Sequence, residues 1–333
     1  MTFLEKQIAK IHGHDTRIVY PEGTEPTILQ AAEKVISLGF AVPILLGDIE
    51  KIKESAEKIG VCLEGMELIC PSETPQIAEY AEKFAEENGL PSSAAKVIMK
   101  KPLYFGTMMV KNDDADCIVA GLATETNEVV AAYKLIIGMA DGVTVPSCFT
   151  ILEIPGFEGP QGDLIALSDT AVNINPTSEE LADIAVASAK SVKKIMDWEP
   201  RVAMLSFSTC GSAKHECADK VAKAVSIAQA REPELMIDGE MQLDAAIRPN
   251  IAERKIKRQS KVAGKANVLV FPNLDAGNIG TKLLQCIGNA QSYGGILQGF
   301  ARPVSDVSRG AGVENILRIS VMLTRTIQSK NNI

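Results

Sequence analysis

Short apolar runs alternate with amphipathic stretches of helical period through most of the chain. This alternation restricts the fold more than any other feature. RIVYP at 17–21 reads as a strand, and EPTILQAAEKVISLGF follows as a helix ending near Gly39. AVPILLG and MELICP read as further strands, with the helix DIEKIKESAEKIG between them. A helix from Thr74 to Glu87 and two helical stretches within 92–112 lead to the strand DCIVAG. Parallel neighbours in a sheet need a crossover long enough to hold a helix, so this spacing predicts an α/β fold with mainly parallel sheets covered by helices. At 333 residues the chain exceeds what one core usually holds, and two domains are expected.

The middle of the chain changes character. VTVPSCFTILEIP and GDLIALSDTAV have little helix between them and are separated by the turn-forming GFEGPQG, which predicts an antiparallel pair and the start of a domain. Alternation then resumes. Thr177-Ser178-Glu179-Glu180 is a capping box opening a helix to about Lys194. RVAMLSFST, LMIDGE and KANVLVFP read as strands, and GSAKHECADKVAKAVSIAQ and the segment from Gly277 to Gly288 as helices. GGILQGF reads as the last strand, and a terminal helix runs from about Gly312 to Gln328. That helix is apolar at Ile316, Leu317, Val321 and Leu323, and with no strand after it, it returns most simply to the first domain. The expected division is 1–142 with 298–333, and 143–297. There is no internal repeat.

Apolar residues make up 46% and charged residues 23%, which excludes disorder and collagen-like sequence. No apolar run reaches the roughly 18 residues of a membrane span. MTFLEKQIAKIHGHD lacks the apolar core of a secretory signal, so a cytoplasmic location is expected. The net charge of −8 argues against a nucleic-acid partner. Seven cysteines, scattered and without CxxC, are expected as reduced thiols packed like small hydrophobes. Cys210, His215 and Cys217 fit no standard metal spacing, so no metal is expected. His12 and His14, near the terminus, are expected at the surface. Three histidines and no G-x-S-x-G speak against a Ser-His-Asp hydrolase. Neither GxGxxG nor GxxxxGK[ST] occurs.

Ligands of open α/β sheets bind beyond the carboxyl ends of strands, where helix N-termini present free N–H groups. Three loops qualify. Ser206 to Lys214 is rich in hydroxyls, opens a helix and carries a lysine on its first turn, which suits a phosphate; an ordinary helix cap reads equally well. Pro272 to Gly280 contains Gly277 and Gly280, which permit close backbone approach. Ser305 to Gly312 sets Ser308 and Arg309 between flexible neighbours and a helix start. An arginine fork matches phosphate, and a serine beside it can donate to an oxyanion; a solvated surface loop is the plainer reading. The basic run Arg254 to Lys261 reads either as a solvated loop or as a patch steering a polyanionic, nucleotide-tailed substrate.

Across these loops the chain resembles the phosphate acetyltransferase (phosphotransacetylase) family. The matching stretches are PEGTEPTILQAAEK, DCIVAG, LADIAVASAK, PRVAMLSFST with GSAK, IDGEMQLDAAI, AGKANVLVFPNLDAGNIG and SDVSRG, in family order. The resemblance implies two α/β/α domains with an interdomain cleft, commonly in a homodimer. It implies reversible acetyl transfer between coenzyme A and inorganic phosphate, with CoA as substrate, no permanently bound cofactor, no metal and no covalent acyl-enzyme. Carried over, Ser308 hydrogen-bonds the tetrahedral oxyanion and Arg309 holds the phosphoryl group. Thr124, Thr126, Ser206, Thr209, Lys214, Asn278, Lys282 and Gly310 are the expected substrate-binding residues.

The chain departs from the family pattern at four places. The aspartate that serves as thiol base reads Asn315 here, with Glu314 adjacent as a candidate substitute. Arginines around the acyl phosphate are replaced where the chain reads Pro26-Thr27-Ile28, Phe84-Ala85-Glu86 and Val129-Val130-Ala131. Each charge-assisted phosphate contact is worth roughly 1.5–3 kcal/mol, so their joint loss motivates an alternative: a catalytically weak acyl-CoA-binding sensor or assembly protein. A dehydrogenase of similar two-domain shape is a third reading, disfavoured by the missing dinucleotide fingerprint.

Overall fold

The computed structural model describes residues 1–13 and 15–328; the expectation for His14 lies outside them. The chain divides into two compact units, Met1–Ala140 with the chain from Phe300 onward, and Asp141–Gly299.

The first unit runs α1 (Phe3–Ile8), β1 (Arg17–Tyr20), α2 (Pro26–Leu38), β2 (Val42–Leu46), α3 (Ile49–Ile59), β3 (Glu67–Ile69), α4 (Gln76–Asn88), α5 (Ser92–Met99), α6 (Pro102–Lys111), β4 (Cys117–Ala120) and α7 (Thr126–Ile136). Its sheet has the order β3-β2-β1-β4 with one more strand beyond β4, contributed by the end of the chain. All pairs are parallel, with Val19 opposite both Ile44 and Ile118. Ile18, Val19 and Tyr20 are fully buried, as are all four residues of β4. Both faces of these strands are covered, which is why they read as unbroken apolar runs.

The second unit runs β5 (Ser147–Glu153), β6 (Leu164–Ser168), α8 (Ser178–Met196), β7 (Arg201–Leu205), α9 (Glu216–Arg231), β8 (Met236–Met241), α10 (Leu243–Ile247), α11 (Pro249–Lys255), β9 (Val268–Val270), α12 (Leu274–Cys286) and β10 (Gln291–Gln298). Its strands lie in the order β10-β5-β6-β9-β7-β8. β5 pairs antiparallel with both β6 and β10, whereas β6, β9, β7 and β8 are mutually parallel. The expected antiparallel pair is therefore present, and so is the capping box: Thr177 accepts from the Glu180 N–H, and Glu180 accepts from the Thr177 N–H.

The chain then re-enters the first unit with β11 (Val304–Asp306) and α13 (Val313–Gln328). GGILQGF is thus not the last strand. β11 has three residues, two of them polar, and carries no apolar run; it is held by parallel pairing to β4, Ser305 opposite Val119. α13 buries Ile316, Leu317, Ile319, Val321, Met322 and Leu323. It packs on α2 and α1, and the Tyr20 hydroxyl meets Ser320 Oγ at 2.7 Å. α1, α7, α10 and α11 are additional to the helices read from periodicity.

The cysteines correct an expectation. Only Cys117 and Cys148 are buried; Cys62, Cys210, Cys217 and Cys286 are exposed and Cys70 is half-buried. LLQCIG is apolar in sequence, but it ends α12, a helix that buries only Gly277 and Thr281. Among the described residues no helix is long and apolar enough to cross a membrane.

Candidate active site

β1, β4 and β11 are parallel neighbours, so their carboxyl ends open on one edge of the first sheet. Three loops leave that edge: Pro21 to Glu25, Gly121 to Glu125, and Val307 to Gly312 ahead of α13. Open α/β sheets place ligands at such an edge.

The Glu22 carboxylate organises the second loop. It accepts from the N–H groups of Leu122, Ala123 and Thr124, each at 2.9 Å, and from Thr124 Oγ1 at 2.8 Å. Successive N–H groups turned inward form a nest for an anion, and here the anion is the protein's own carboxylate. The Thr124 hydroxyl is thereby committed. Thr126 Oγ1 donates to Asp306 Oδ2 at 2.6 Å. Both threonines, expected to bind substrate, thus serve internal carboxylates. Glu22 and Asp306 were not among the expected site residues, although each sits at a strand's carboxyl end, in PEG and SDVSRG.

Asp306 is 7% exposed, and its Oδ1 has no hydrogen-bond partner. That oxygen lies against Gly121, where a Cβ would sit 2.3 Å away. Gly121 also has φ +112°, so no other residue fits this turn without strain. Burial pushes the Asp306 carboxyl up to about 6; the Thr126 bond opposes this and the nearby Glu22 charge adds to it.

The third loop is a tight turn. The Gly310 N–H donates to Ser308 Oγ at 3.3 Å, and the Ala311 N–H donates to the Ser308 carbonyl at 2.8 Å. Ser308, Arg309 and Gly310 are exposed. Arg309 Nη1 lies 3.9 Å from Glu125 Oε1. Asn315 Oδ1 accepts from the Gly312 N–H at 3.3 Å and so ties α13 to the turn. Glu314 does not join this group; its carboxylate pairs with Lys34 of α2. The structure therefore assembles Ser308, Arg309, Gly310 and Asn315 in one turn, beside Thr124 and Thr126.

The remaining expected residues belong to the second unit. There α9 begins at Glu216 with His215 as its cap, so Lys214 precedes the helix instead of lying on its first turn. Lys214 is exposed. The hydroxyls before it turn inward. Ser208 Oγ donates to Glu240 at 2.7 Å, Thr209 Oγ1 accepts from the Gln242 N–H at 3.0 Å, and Ser206 Oγ accepts from the Ser208 N–H at 3.2 Å. Asn278 Nδ2 donates to the Thr170 carbonyl at 3.1 Å, and Lys282 is exposed. The basic run is tethered: Lys255 pairs with Asp244, and Arg258 forks onto the buried Asp238. Both sequence readings of that run missed these partners. Among the described residues, His215, Glu216 and Cys217 bring candidate metal donor atoms within 4.8 Å of one another. All three are exposed, and His215 Nδ1 is taken by the Cys217 N–H.

Comparison with known proteins shows the family of the chain. Residues 2–324 match the profile of the phosphate acetyl/butaryl transferase family. The chain is 42% identical over 333 residues to a phosphate acetyltransferase of Thermoanaerobacterium thermosaccharolyticum, covering 99% of this chain and 100% of that one. A crystal structure of a phosphotransacetylase from Streptococcus pyogenes superposes with TM-score 0.90 at 35% identity, covering all of both chains. A phosphotransacetylase from Staphylococcus aureus gives TM-score 0.87 at 38% identity, covering 97% of this chain and 98% of that one.

Proposed function

The chain belongs to the phosphate acetyl/butaryl transferase family, and we propose that it transfers an acetyl group reversibly between coenzyme A and inorganic phosphate. The observation that carries this reading is the turn Ser308-Arg309-Gly310 at the carboxyl end of β11, within a full-length likeness to phosphate acetyltransferases. The sensor alternative is not favoured, because that likeness spans nearly the whole chain.

In the thioester-forming direction the CoA thiolate attacks the carbonyl carbon of acetyl phosphate. The C–S bond forms, negative charge moves to the carbonyl oxygen, and the C–O bond to phosphate then breaks. Ser308 Oγ–H donates to that developing oxyanion, and a preorganised donor of this kind is worth a few kcal/mol. Arg309 holds the phosphoryl oxygens through its fork and stabilises the leaving phosphate. A free thiol sits near pH 8.5, so a proton acceptor helps at neutral pH. Asn315 cannot accept that proton, and its side chain already caps the turn. Glu314 is the carboxylate at the start of α13 and takes the proton once it leaves Lys34. Gly310, Thr124 and Thr126 shape the turn and its neighbour. CoA enters and leaves as a substrate, with no resident cofactor. A homodimer in the cytoplasm completes the reading.

The test is CoA-dependent formation of acetyl-CoA from acetyl phosphate. Ser308→Ala and Arg309→Ala should each lower kcat/KM at least tenfold, with unchanged unfolding curves. Full activity in both variants, or saturable CoA binding without turnover of any short acyl phosphate, would remove the proposal.

A further inference from the structure

The hydrogen-bond donors just described at the carboxyl edge of the first sheet face carboxylates of the chain itself. Glu22 fills the nest of residues 121–124, Asp306 takes the Thr126 hydroxyl, and Glu125 faces the Arg309 guanidinium. These three carboxylates are held very differently. Glu22 accepts three backbone bonds at 2.9 Å, a longer one from the Gly121 N–H at 3.4 Å, and one hydroxyl bond at 2.8 Å. Asp306 is buried. Glu125 is 71% exposed, sits 3.9 Å from its partner, and makes no capping hydrogen bond although it occupies the N-cap of α7. Only charge keeps it near Arg309: the guanidinium itself and the positive end of α7. An exposed pair of this kind is weak and is easily exchanged for a more highly charged partner.

We propose that Glu125 is the internal counter-ion of Arg309, displaced each time phosphate or the phosphoryl group binds, and that it thereby sets the affinity of the site for phosphate. The proposal rests on Arg309 as the phosphate anchor. A phosphate dianion carries more charge than a carboxylate and matches the planar fork in a bidentate way, so it wins the exchange. While it is bound, Glu125 remains nearby as a like charge and weakens the hold. Removing that charge should tighten phosphate binding and leave the acyl-transfer step alone, because Glu125 acts on the ground state and the transition state alike.

The experiment is steady-state kinetics of acetyl-CoA plus phosphate, with sulfate as a dead-end competitor. Glu125→Gln should lower KM for phosphate and Ki for sulfate about three- to fivefold, with kcat within twofold of wild type. Glu125→Asp should stay near wild type, and the gain in Glu125→Gln should shrink as ionic strength rises. An unchanged or higher KM for phosphate overturns the proposal. A tenfold fall in kcat also overturns it, since Glu125 would then act on the reacting groups. Arg309→Ala run in parallel separates the two readings. If it leaves KM for phosphate unchanged, the anchor itself is misassigned; if it raises KM while Glu125→Gln is silent, only the counter-ion role fails.

Discussion

Burial holds the Asp306 carboxyl up near pH 6, against about 3.9 for a free aspartate. Between those two values the folded chain binds a proton that the unfolded chain has released. The contribution of Asp306 to stability is therefore fully present below pH 4 and is lost as pH rises through 6. At neutral pH the ionised group costs up to about 3 kcal/mol. Asp306→Asn should be more stable than wild type to urea at pH 7.5, with the advantage much smaller at pH 4.5. An equal difference at the two pH values would show that Asp306 does not titrate between them. Two neighbours bear on the thiol proton. If Glu314 accepts it, Glu314→Gln lowers the rate of acetyl-CoA formation at least tenfold across neutral pH; a full rate excludes it. Asn315→Asp can keep the bond from the Gly312 N–H and adds an acceptor, so a rise in rate is expected there.

α12 illustrates how much an element's environment adds to its sequence. Gly277 and Gly280 lie three positions apart in one helix, and the sequence offers both as places for a ligand to approach. The chain's own backbone approaches Gly277 instead: a Cβ there would lie 2.1 Å from the Asp169 carbonyl oxygen. Gly280 would make only ordinary contact with the Phe271 ring, at 3.5 Å. Gly277→Ala should therefore lower the unfolding free energy by about 2 kcal/mol or more. Gly280→Ala should raise it by about 0.5–1 kcal/mol through helix propensity. Chemical denaturation of the pair checks both, and equal effects would contradict the packing. The same contrast explains what was legible beforehand. β1, β2, β4 and α8 carry their own signals, in apolar runs and a capping box. β11 has no such signal, because its place depends on β4, far away in sequence. The hydroxyls of Ser206 to Thr209 were visible as a cluster. Their direction was not, since it is set by Glu240 and Gln242 some thirty residues later.

For the molecule as a whole, burial sorts the seven thiols in a way that composition did not. Cys62, Cys210, Cys217 and Cys286 should react quickly with a disulfide reagent in the native protein, whereas Cys117 and Cys148 should react only on unfolding. Four fast thiols in a stopped-flow titration are expected, with Cys70 intermediate; six or seven at once would mean that the sheets are not closed as described. The Ser308–Arg309 turn was readable because its motif is local, and the internal carboxylates around it were not, because each comes from a different strand end. The first unit, finally, is built from both ends of the chain, with β11 and α13 arriving after the whole second unit. During synthesis its four early strands must wait, one edge of β4 unpaired and α2 uncovered, until β11 and α13 leave the ribosome after the second unit. The second unit is continuous and can close first. Ser308 and Arg309 follow β11, so a chain interrupted before that strand lacks both, and its first sheet stays incomplete.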